Sequence, residues 1–140
     1  MRQFMDNITI HTTGASLTDI TAAVGRLLAT SKIRTGLLTV HCTHTSASLL
    51  IQENADPDVQ RDLVAFFRRL VPDGDRLFIH TAEGPDDMPA HVKAALTQTS
   101  LTIPVADGRM TLGTWQGLYL FEHRHAAHVR RLVVHLMGED

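Results

Sequence analysis

Alternation of apolar and other side chains along several short segments is the pattern that most limits the folds open to this chain. Between Gly36 and Thr43, the residues Leu38, Val40 and Cys42 occupy alternate positions of one apolar run. Successive side chains of a β-strand point to opposite faces of a sheet, so this pattern predicts a strand with one buried face. Alternation or a high content of β-forming residues also predicts strands at residues 4–11, 47–52, 100–105, 109–112, 115–122 and 129–137.

Turn residues indicate how these strands are connected. Asp107-Gly108 separates two of the predicted strands, and this pair favours the tight turn of a β-hairpin. We expect residues 115–122 and 129–137 to pair as a second hairpin. Because hairpins join antiparallel neighbours, the predicted sheet is largely antiparallel.

Two longer segments have the periodicity and the end signals of amphipathic helices. Ser16 and Asp19 resemble a capping box, which predicts that a helix starts there and ends near Thr30. Asp56 is a predicted N-cap, because Pro57 follows it and is well suited to the first helical position. This second helix carries an apolar stripe formed by Val59, Leu63, Phe66, Phe67 and Leu70.

A third, shorter helix is predicted after Asp87, which can cap it, and carries His91 and Leu96. Three helices distributed among antiparallel strands predict an α+β fold in which a largely antiparallel sheet packs against the helices. The length of 140 residues suits one domain that spans residues 1–140.

Composition excludes several functional classes. Lys plus Arg is 13 and Asp plus Glu is 15, a net charge of −2, so the chain lacks the basic surface of a nucleic-acid-binding protein. No apolar run approaches the roughly 18 residues of a membrane helix, and the first residues lack a signal-peptide core, so we expect a cytoplasmic protein without a membrane partner. The single cysteine, Cys42, excludes an internal disulfide and a four-thiolate zinc site.

Nine histidines are dispersed along the chain, and histidine suits both metal ligation and proton transfer near neutral pH. The chain has no phosphate-binding loop, dinucleotide-binding glycine motif, metalloprotease His-Glu pair or nucleophile elbow. Candidate functional residues therefore come from three less general groups.

The first group surrounds His44 at the junction of two predicted strands. Thr45 and Ser46 are small hydroxyl residues that leave room for a ligand and offer hydrogen-bond donors. Glu53 and Asp56 follow at the end of the next strand and the start of a helix. We interpret His44 and Glu53 as functional residues and Asp56 as a helix cap.

The second group contains Asp87 and His91. Residues four apart are neighbours on one face of a helix, so this carboxylate and imidazole are predicted to lie together. Such a pair can orient the imidazole for acid–base chemistry or metal binding. Capping by Asp87 and solvent exposure of His91 are the alternative explanation.

The third group is the segment from Gly113 to Gly117, which contains the only tryptophan, Trp115. Glycine weakens a strand, so two glycines indicate a bulge or a close approach of backbone. Trp115 would then offer a stacking surface to a heteroaromatic ring, and Gln116 a donor and an acceptor. The alternative is a tryptophan buried in the core.

Four stretches occur in a characteristic order along the chain: His44-Thr45-Ser46-Ala47-Ser48-Leu49; Glu53-Asn54-Ala55-Asp56-Pro57; Gly84 with Asp86-Asp87-Met88-Pro89-Ala90-His91-Val92-Lys93; and Ser100-Leu101-Thr102 through Gly113-Thr114-Trp115-Gln116-Gly117 to Glu122-His123-Arg124. This ordered set resembles the YjbQ-like family, which includes secondary thiamine-phosphate synthases. The resemblance spans nearly the whole chain and implies an α+β YjbQ-like fold that assembles as a homotrimer, with pockets near the subunit contacts. It also implies that the three groups converge on one pocket.

The activity that the resemblance implies is the joining of a pyrimidine-methyl diphosphate to a thiazole phosphate, which gives thiamine phosphate. The implied catalytic residues are His44, Glu53, Asp87 and His91. The implied substrate-binding residues are Thr45, Ser46, Asn54, Gly113, Thr114, Trp115, Gln116 and Glu122.

Departure of diphosphate requires positive charge near the leaving group, which a divalent metal can supply. Two arrangements stay open: Glu53 and Asp87 bind magnesium through oxygen atoms, or His44, His91 and His123 bind zinc or another transition metal. The second arrangement leaves a position for water and would suit a metal-dependent hydrolase of a small phosphorylated metabolite. A non-catalytic trimer that binds a small ligand is a further alternative.

Overall fold

The computed structural model describes residues 1–140 as eight strands and three helices. In chain order they are β1 (Arg2–Thr12), β2 (Ser16–Asp19), α1 (Thr21–Ser31), β3 (Thr35–Cys42), β4 (Ala47–Glu53), α2 (Pro57–Leu70), α3 (Asp87–Leu96), β5 (Ser100–Ala106), β6 (Arg109–Met110), β7 (Gln116–Glu122) and β8 (His128–Glu139). None of the three helices is long and apolar enough to span a bilayer.

The strands form two sheets in which every pairing is antiparallel. The larger sheet has the order β1-β8-β3-β5-β6, and the smaller has the order β2-β7-β4. One hydrophobic core serves both sheets, because a single cluster contains Val24 of α1, Leu38 of β3 and Leu120 of β7. The predicted α+β architecture with three helices is confirmed.

The first helix begins later than its capping signal indicates. Ser16–Asp19 forms β2, which pairs with β7, and α1 begins at Thr21. Asp19 still contributes to the helix start, since its Oδ1 accepts a hydrogen bond from the Thr21 amide at 2.9 Å. The prediction of a helix from Ser16 was wrong because local periodicity carries no information about the strand edge that pairs with these residues.

Helix α2 begins as predicted. Asp56 Oδ1 accepts a hydrogen bond from the Asp58 amide at 2.9 Å, and Pro57 is the first helical residue. No residue of α2 is fully buried, and Phe66 and Leu70 of its apolar stripe are about half exposed. The helix therefore leaves part of its apolar face accessible.

One of the two predicted hairpins is present. β5 and β6 pair across Asp107 and Gly108, whose φ angles of 52° and 74° suit a type I′ turn. β7 and β8 do not pair, because β7 lies in the smaller sheet and β8 lies between β1 and β3. The second hairpin was predicted wrongly because residues 123–127 take the chain from one sheet to the other. This crossing brings Arg124 to the start of α3.

Candidate functional site

Asp87 lies at the centre of a cluster of charged and polar side chains at the start of α3. Its carboxylate is nearly buried, with 4% of the residue exposed. Oδ2 lies 2.9 Å from His80 Nε2 and 3.1 Å from His91 Nε2, and Oδ1 accepts a hydrogen bond from Arg124 Nη1 at 2.8 Å. Asp86, not Asp87, occupies the N-cap position, and it makes no side-chain capping bond. The Asp87 side chain is therefore free of the capping role that its position suggested.

The orientation of His91 follows from its second nitrogen. His91 Nδ1 lies 2.8 Å from the carbonyl oxygen of Thr45, an acceptor to which this nitrogen can only donate. In a neutral ring Nε2 then carries a lone pair directed at the Asp87 carboxylate. A lone pair and a carboxylate repel each other, so this contact requires a cation between or on them, either a proton or a metal ion.

Charge and burial act in opposite directions on Asp87. Burial alone would raise the pKa of Asp87, but the hydrogen bond from His80 and the charges of His91 and Arg124 lower this pKa below its ordinary value near 3.8. The carboxylate is therefore ionised at neutral pH and available as a ligand.

The side chains of His80, Asp87 and His91, hereafter the His80–Asp87–His91 group, fit a divalent metal ion. Their potential ligand atoms lie within 4.8 Å of one another, and the separations of 2.9 and 3.1 Å from Oδ2 suit atoms that share one ion at about 2.0–2.2 Å. Two imidazole nitrogens and one carboxylate oxygen favour zinc or a similar transition metal over magnesium, which prefers oxygen ligands. Three protein ligands also leave a coordination position for substrate or water.

Arg124 and Asp86 fix the backbone next to this group through hydrogen bonds. Arg124 Nε donates to Asp86 Oδ2 at 3.1 Å, and Arg124 Nη2 donates to the Glu83 carbonyl at 2.9 Å. The His125 amide also donates to Asp86 Oδ2, at 2.9 Å. These contacts attach the loop before α3 to the segment that joins the two sheets, so the position of Asp87 depends on both.

Two clefts of similar size adjoin the group. The His80 cleft, of about 480 Å³, is lined by the loop before α3 and the first turn of this helix and includes Arg76 and Thr81. The His44 cleft, of about 470 Å³, is lined by His44, Thr45, His91, Ala94, Ala95 and Thr99. One imidazole of the group therefore lines each cleft, and the predicted neighbours His44 and His91 share a cavity.

His44 is not part of the His80–Asp87–His91 group. Its Nε2 accepts a hydrogen bond from the Arg131 amide at 2.8 Å, so the proton of the neutral ring is on Nδ1. With one nitrogen protonated and the other bonded to a peptide N–H, neither is available as a metal ligand.

His123 and Glu122 belong to the core. His123 is 1% exposed, its Nε2 lies 2.8 Å from Ser48 Oγ, and burial together with the nearby Lys93 charge lowers its pKa to about 3. Glu122 is fully buried and binds Arg130. The structure therefore does not bring His44, His91 and His123 together as metal ligands, because the potential ligand atoms that lie beside His91 belong to His80 and Asp87.

The remaining predicted residues lie at the other end of β4. This strand runs from Ala47, close to His44, to Glu53, a span of about 20 Å at roughly 3.3 Å per residue. Glu53 pairs with Gln116 in β7, and its Oε2 accepts hydrogen bonds from the amides of Ala55 and Asp56, each at 3.2 Å. Glu53 and Asp87 are thus too far apart to share a magnesium ion.

Trp115 is 63% exposed and lies at this second end, where its carbonyl accepts a hydrogen bond from the Asn54 amide at 3.0 Å. It is therefore not a core tryptophan. Gln116 Oε1 accepts from the Gly113 amide at 2.8 Å and closes the turn. Within one chain the predicted residues thus form two groups rather than one pocket. The group around α3 contains His44, Thr45, Ser46, Asp87, His91, Glu122 and His123, and the other contains Glu53, Asn54, Gly113, Thr114, Trp115 and Gln116.

No sequence pattern indicated His80 or Arg124 as a site residue. His80 lies in an irregular segment after α2, where no periodicity relates it to Asp87. Arg124 is 37 residues from Asp87 in the chain. The only available signal was that His80 precedes a loop with three carboxylates, Glu83, Asp86 and Asp87.

The chain is similar in sequence and in structure to several known proteins. A UPF0047 protein from Synechocystis is 51% identical over 99% of this chain and 94% of its own length. The UPF0047 protein YjbQ of Escherichia coli O157:H7 is 47% identical over 77% of this chain and 78% of its own length. A crystal structure of a YjbQ/UPF0047 family protein from Clostridium acetobutylicum superimposes with a TM-score of 0.87 and 32% identity, and covers 94% of this chain and 99% of that one.

The family model described as UPF0047 protein YjbQ-like matches residues 6–139. The match covers every element of both sheets and all three helices apart from the start of β1. Together with the identities above, it shows that this chain belongs to the YjbQ-like UPF0047 family.

Proposed function

We propose that this protein is a metal-dependent transferase that joins two small molecules, at least one of them phosphorylated. The observation that carries the proposal is that the His80–Asp87–His91 group adjoins two clefts, one through each imidazole. Each cleft lies within the roughly 300–1,000 Å³ range of small-molecule sites. A hydrolase needs one such cleft and a water molecule, whereas a transferase needs room for a donor and an acceptor.

A metal ion bound by His80, Asp87 and His91 would supply positive charge where a phosphate leaving group develops negative charge. The other residues prepare this site. Arg124 keeps the Asp87 carboxylate in place through Oδ1, and the Thr45 carbonyl orients His91. Such outer contacts commonly change metal affinity or activity by about 10–100-fold when they are removed.

The specific reaction that we propose is formation of thiamine phosphate, as the family resemblance implies. The bond between the pyrimidine methylene carbon and the diphosphate oxygen breaks, and pyrophosphate leaves with the bonding electrons. The nitrogen of the thiazole phosphate forms a bond to the same carbon. Two separate clefts support this reaction because its donor and acceptor are both small and must be present together.

The test compares His80→Ala with His125→Ala in the zinc-loaded protein. His125 is a matched control because its Nε2 also lies close to a carboxylate, that of Asp73 at 2.5 Å, but outside the His80–Asp87–His91 group. We expect thiamine phosphate and pyrophosphate to form in equal amounts, His80→Ala to reduce the rate at least about 100-fold, and His125→Ala to leave it unchanged. Phosphate release from the diphosphate alone would support the hydrolase alternative instead, and saturable binding without turnover would support the binding protein.

We further propose a homotrimer in which the Trp115 end of one subunit approaches the clefts of the next. Two observations support an assembly: the predicted site residues form two separate groups on each chain, and large apolar side chains are exposed, among them Leu77 at 87% and Ile79 at 98%. Analytical ultracentrifugation should therefore give the mass of an assembly of three 15.5-kDa chains. A monomer with full activity would contradict this assembly.

A further inference from the structure

We propose that His44 acts as a neutral hydrogen-bond donor and binds a phosphate oxygen of the substrate through Nδ1–H in the His44 cleft. The inference deepens the proposed function and rests on it. It assigns to His44 a binding role and not the transfer of a proton.

The tautomer of His44 follows from one backbone contact. The Arg131 amide lies 2.8 Å from His44 Nε2, and a peptide N–H can only donate, so Nε2 must carry a lone pair. The proton of the neutral ring is therefore on Nδ1, and this atom makes no hydrogen bond within the chain. Protonation of Nε2 would direct two N–H groups at each other and break the bond to Arg131.

Burial and the nearby positive charges also favour the neutral form of His44. Burial lowers the pKa of His44, the charges of Arg130 and His128 lower it further, and Glu122 opposes them. The net effect is a lowered pKa, because burial is the largest contribution and the charge of Arg130 outweighs that of Glu122.

The composition of the cleft indicates the kind of ligand. Its other lining residues are Thr45, His91, Ala94, Ala95 and Thr99, and none is acidic. His91 uses its Nδ1 on the Thr45 carbonyl, which leaves His44 as the imidazole whose N–H has no partner. An N–H donor in a cleft that no carboxylate lines favours an acceptor such as a phosphate oxygen and does not favour a cation.

Nitrogen-15 NMR of zinc-loaded, histidine-labelled protein tests the tautomer directly. We expect long-range correlations to show His44 with a protonated Nδ1 and an unprotonated Nε2, and the Nδ1–H resonance to shift when inorganic pyrophosphate is added. A His44 ring protonated at Nε2, or an unshifted resonance while calorimetry shows pyrophosphate binding, would overturn the inference. Zinc binding without any pyrophosphate binding would overturn it as well.

Two substitutions separate the functions of the two ring nitrogens. In His44→Gln the amide oxygen can replace Nε2 as the acceptor for Arg131, but the donor at Nδ1 is lost. In His44→Asn the amide nitrogen can replace Nδ1, but the acceptor is lost. We expect His44→Gln to keep the zinc content and Tm and to raise the Kd for pyrophosphate at least about tenfold.

His44→Asn should keep the Kd for pyrophosphate within about threefold while its Tm falls, because the Arg131 amide loses its partner. The opposite order of the two Kd values would overturn the inference, and the NMR result remains decisive if His44→Asn does not fold. Failure of the wild-type protein to bind zinc would instead count against the proposed function, which distinguishes the two outcomes.

Discussion

Replacement of Asp87 by asparagine is expected to reduce bound zinc from one ion per chain to less than about a tenth of that amount. The amide keeps the size of the side chain but removes the charge that two imidazoles and Arg124 share. A neutral amide oxygen is a much weaker ligand than a carboxylate for a divalent ion. Elemental analysis by mass spectrometry, after dialysis against stoichiometric zinc, measures the effect.

Asp86→Asn is the matched control for this substitution. Asp86 also accepts hydrogen bonds from Arg124 and lies next to Asp87, but it is not a member of the His80–Asp87–His91 group. This variant should keep its zinc while losing some stability. Equal zinc content in Asp87→Asn and the wild-type protein would show that the group does not bind metal.

Glu122→Gln is expected to lower the free energy of unfolding by about 3–5 kcal/mol, the range observed when one partner of a buried ion pair is removed. Glu122 is fully buried, Arg130 Nε donates to its Oε1 at 2.7 Å, and Thr12 Oγ1 donates to the same oxygen at 2.6 Å. The substitution leaves the buried Arg130 guanidinium without a counter-charge. Urea denaturation measures the loss.

The same pair gives the stability a defined pH dependence. Burial alone would raise the pKa of Glu122, but hydrogen bonds from Arg130, Thr12 and the Arg124 amide, with the charge of Arg130, lower this pKa below its ordinary value near 4.5. A carboxyl group with a lowered pKa stabilises the folded state above its unfolded-state pKa, and this contribution is lost as the pH falls through the folded-state pKa. The wild-type protein should therefore lose stability below about pH 4.5 more steeply than Glu122→Gln.

Asp107→Asn is the control for Glu122→Gln, because it removes the charge of an exposed carboxylate instead of a buried one. Its side chain is 97% exposed, and asparagine tolerates its positive φ, so Asp107→Asn should change the free energy of unfolding by less than about 0.5 kcal/mol. A loss below about 1 kcal/mol in Glu122→Gln would indicate that Arg130 finds another partner.

The Glu122–Arg130 pair also connects the core to the candidate site. Arg130 Nη2 donates to the carbonyl and the hydroxyl of Ser46, at 3.2 and 2.9 Å. Ser46 immediately precedes β4 and lies two residues after His44. Ser46 and Glu122, which were predicted to bind substrate, thus contact Arg130 instead and position the segment that carries His44 and Thr45.

Features that depend on spacing within one element were accessible from the sequence. The four-residue interval between Asp87 and His91 predicted their contact, and Asp107-Gly108 predicted its hairpin. By contrast, the capping signal at Ser16 was outweighed by pairing with β7. Local patterns succeed where the competing interactions are also local, and strand pairing is not local.

The order of residues was therefore sufficient for the α+β class, the number of helices, the Asp87–His91 pair and the family. Three-dimensional packing was needed to show that His80 and Arg124 join Asp87 and that His123 and Glu122 are buried in the core. It was also needed to show that Glu53 lies at the opposite end of β4 from Ala47, about 20 Å along the strand, with Trp115 beside that end. The physical reason is that ligand geometry, burial and the tautomer of a histidine depend on groups far apart in the chain. His44 illustrates this, since its proton position depends on an amide 87 residues away.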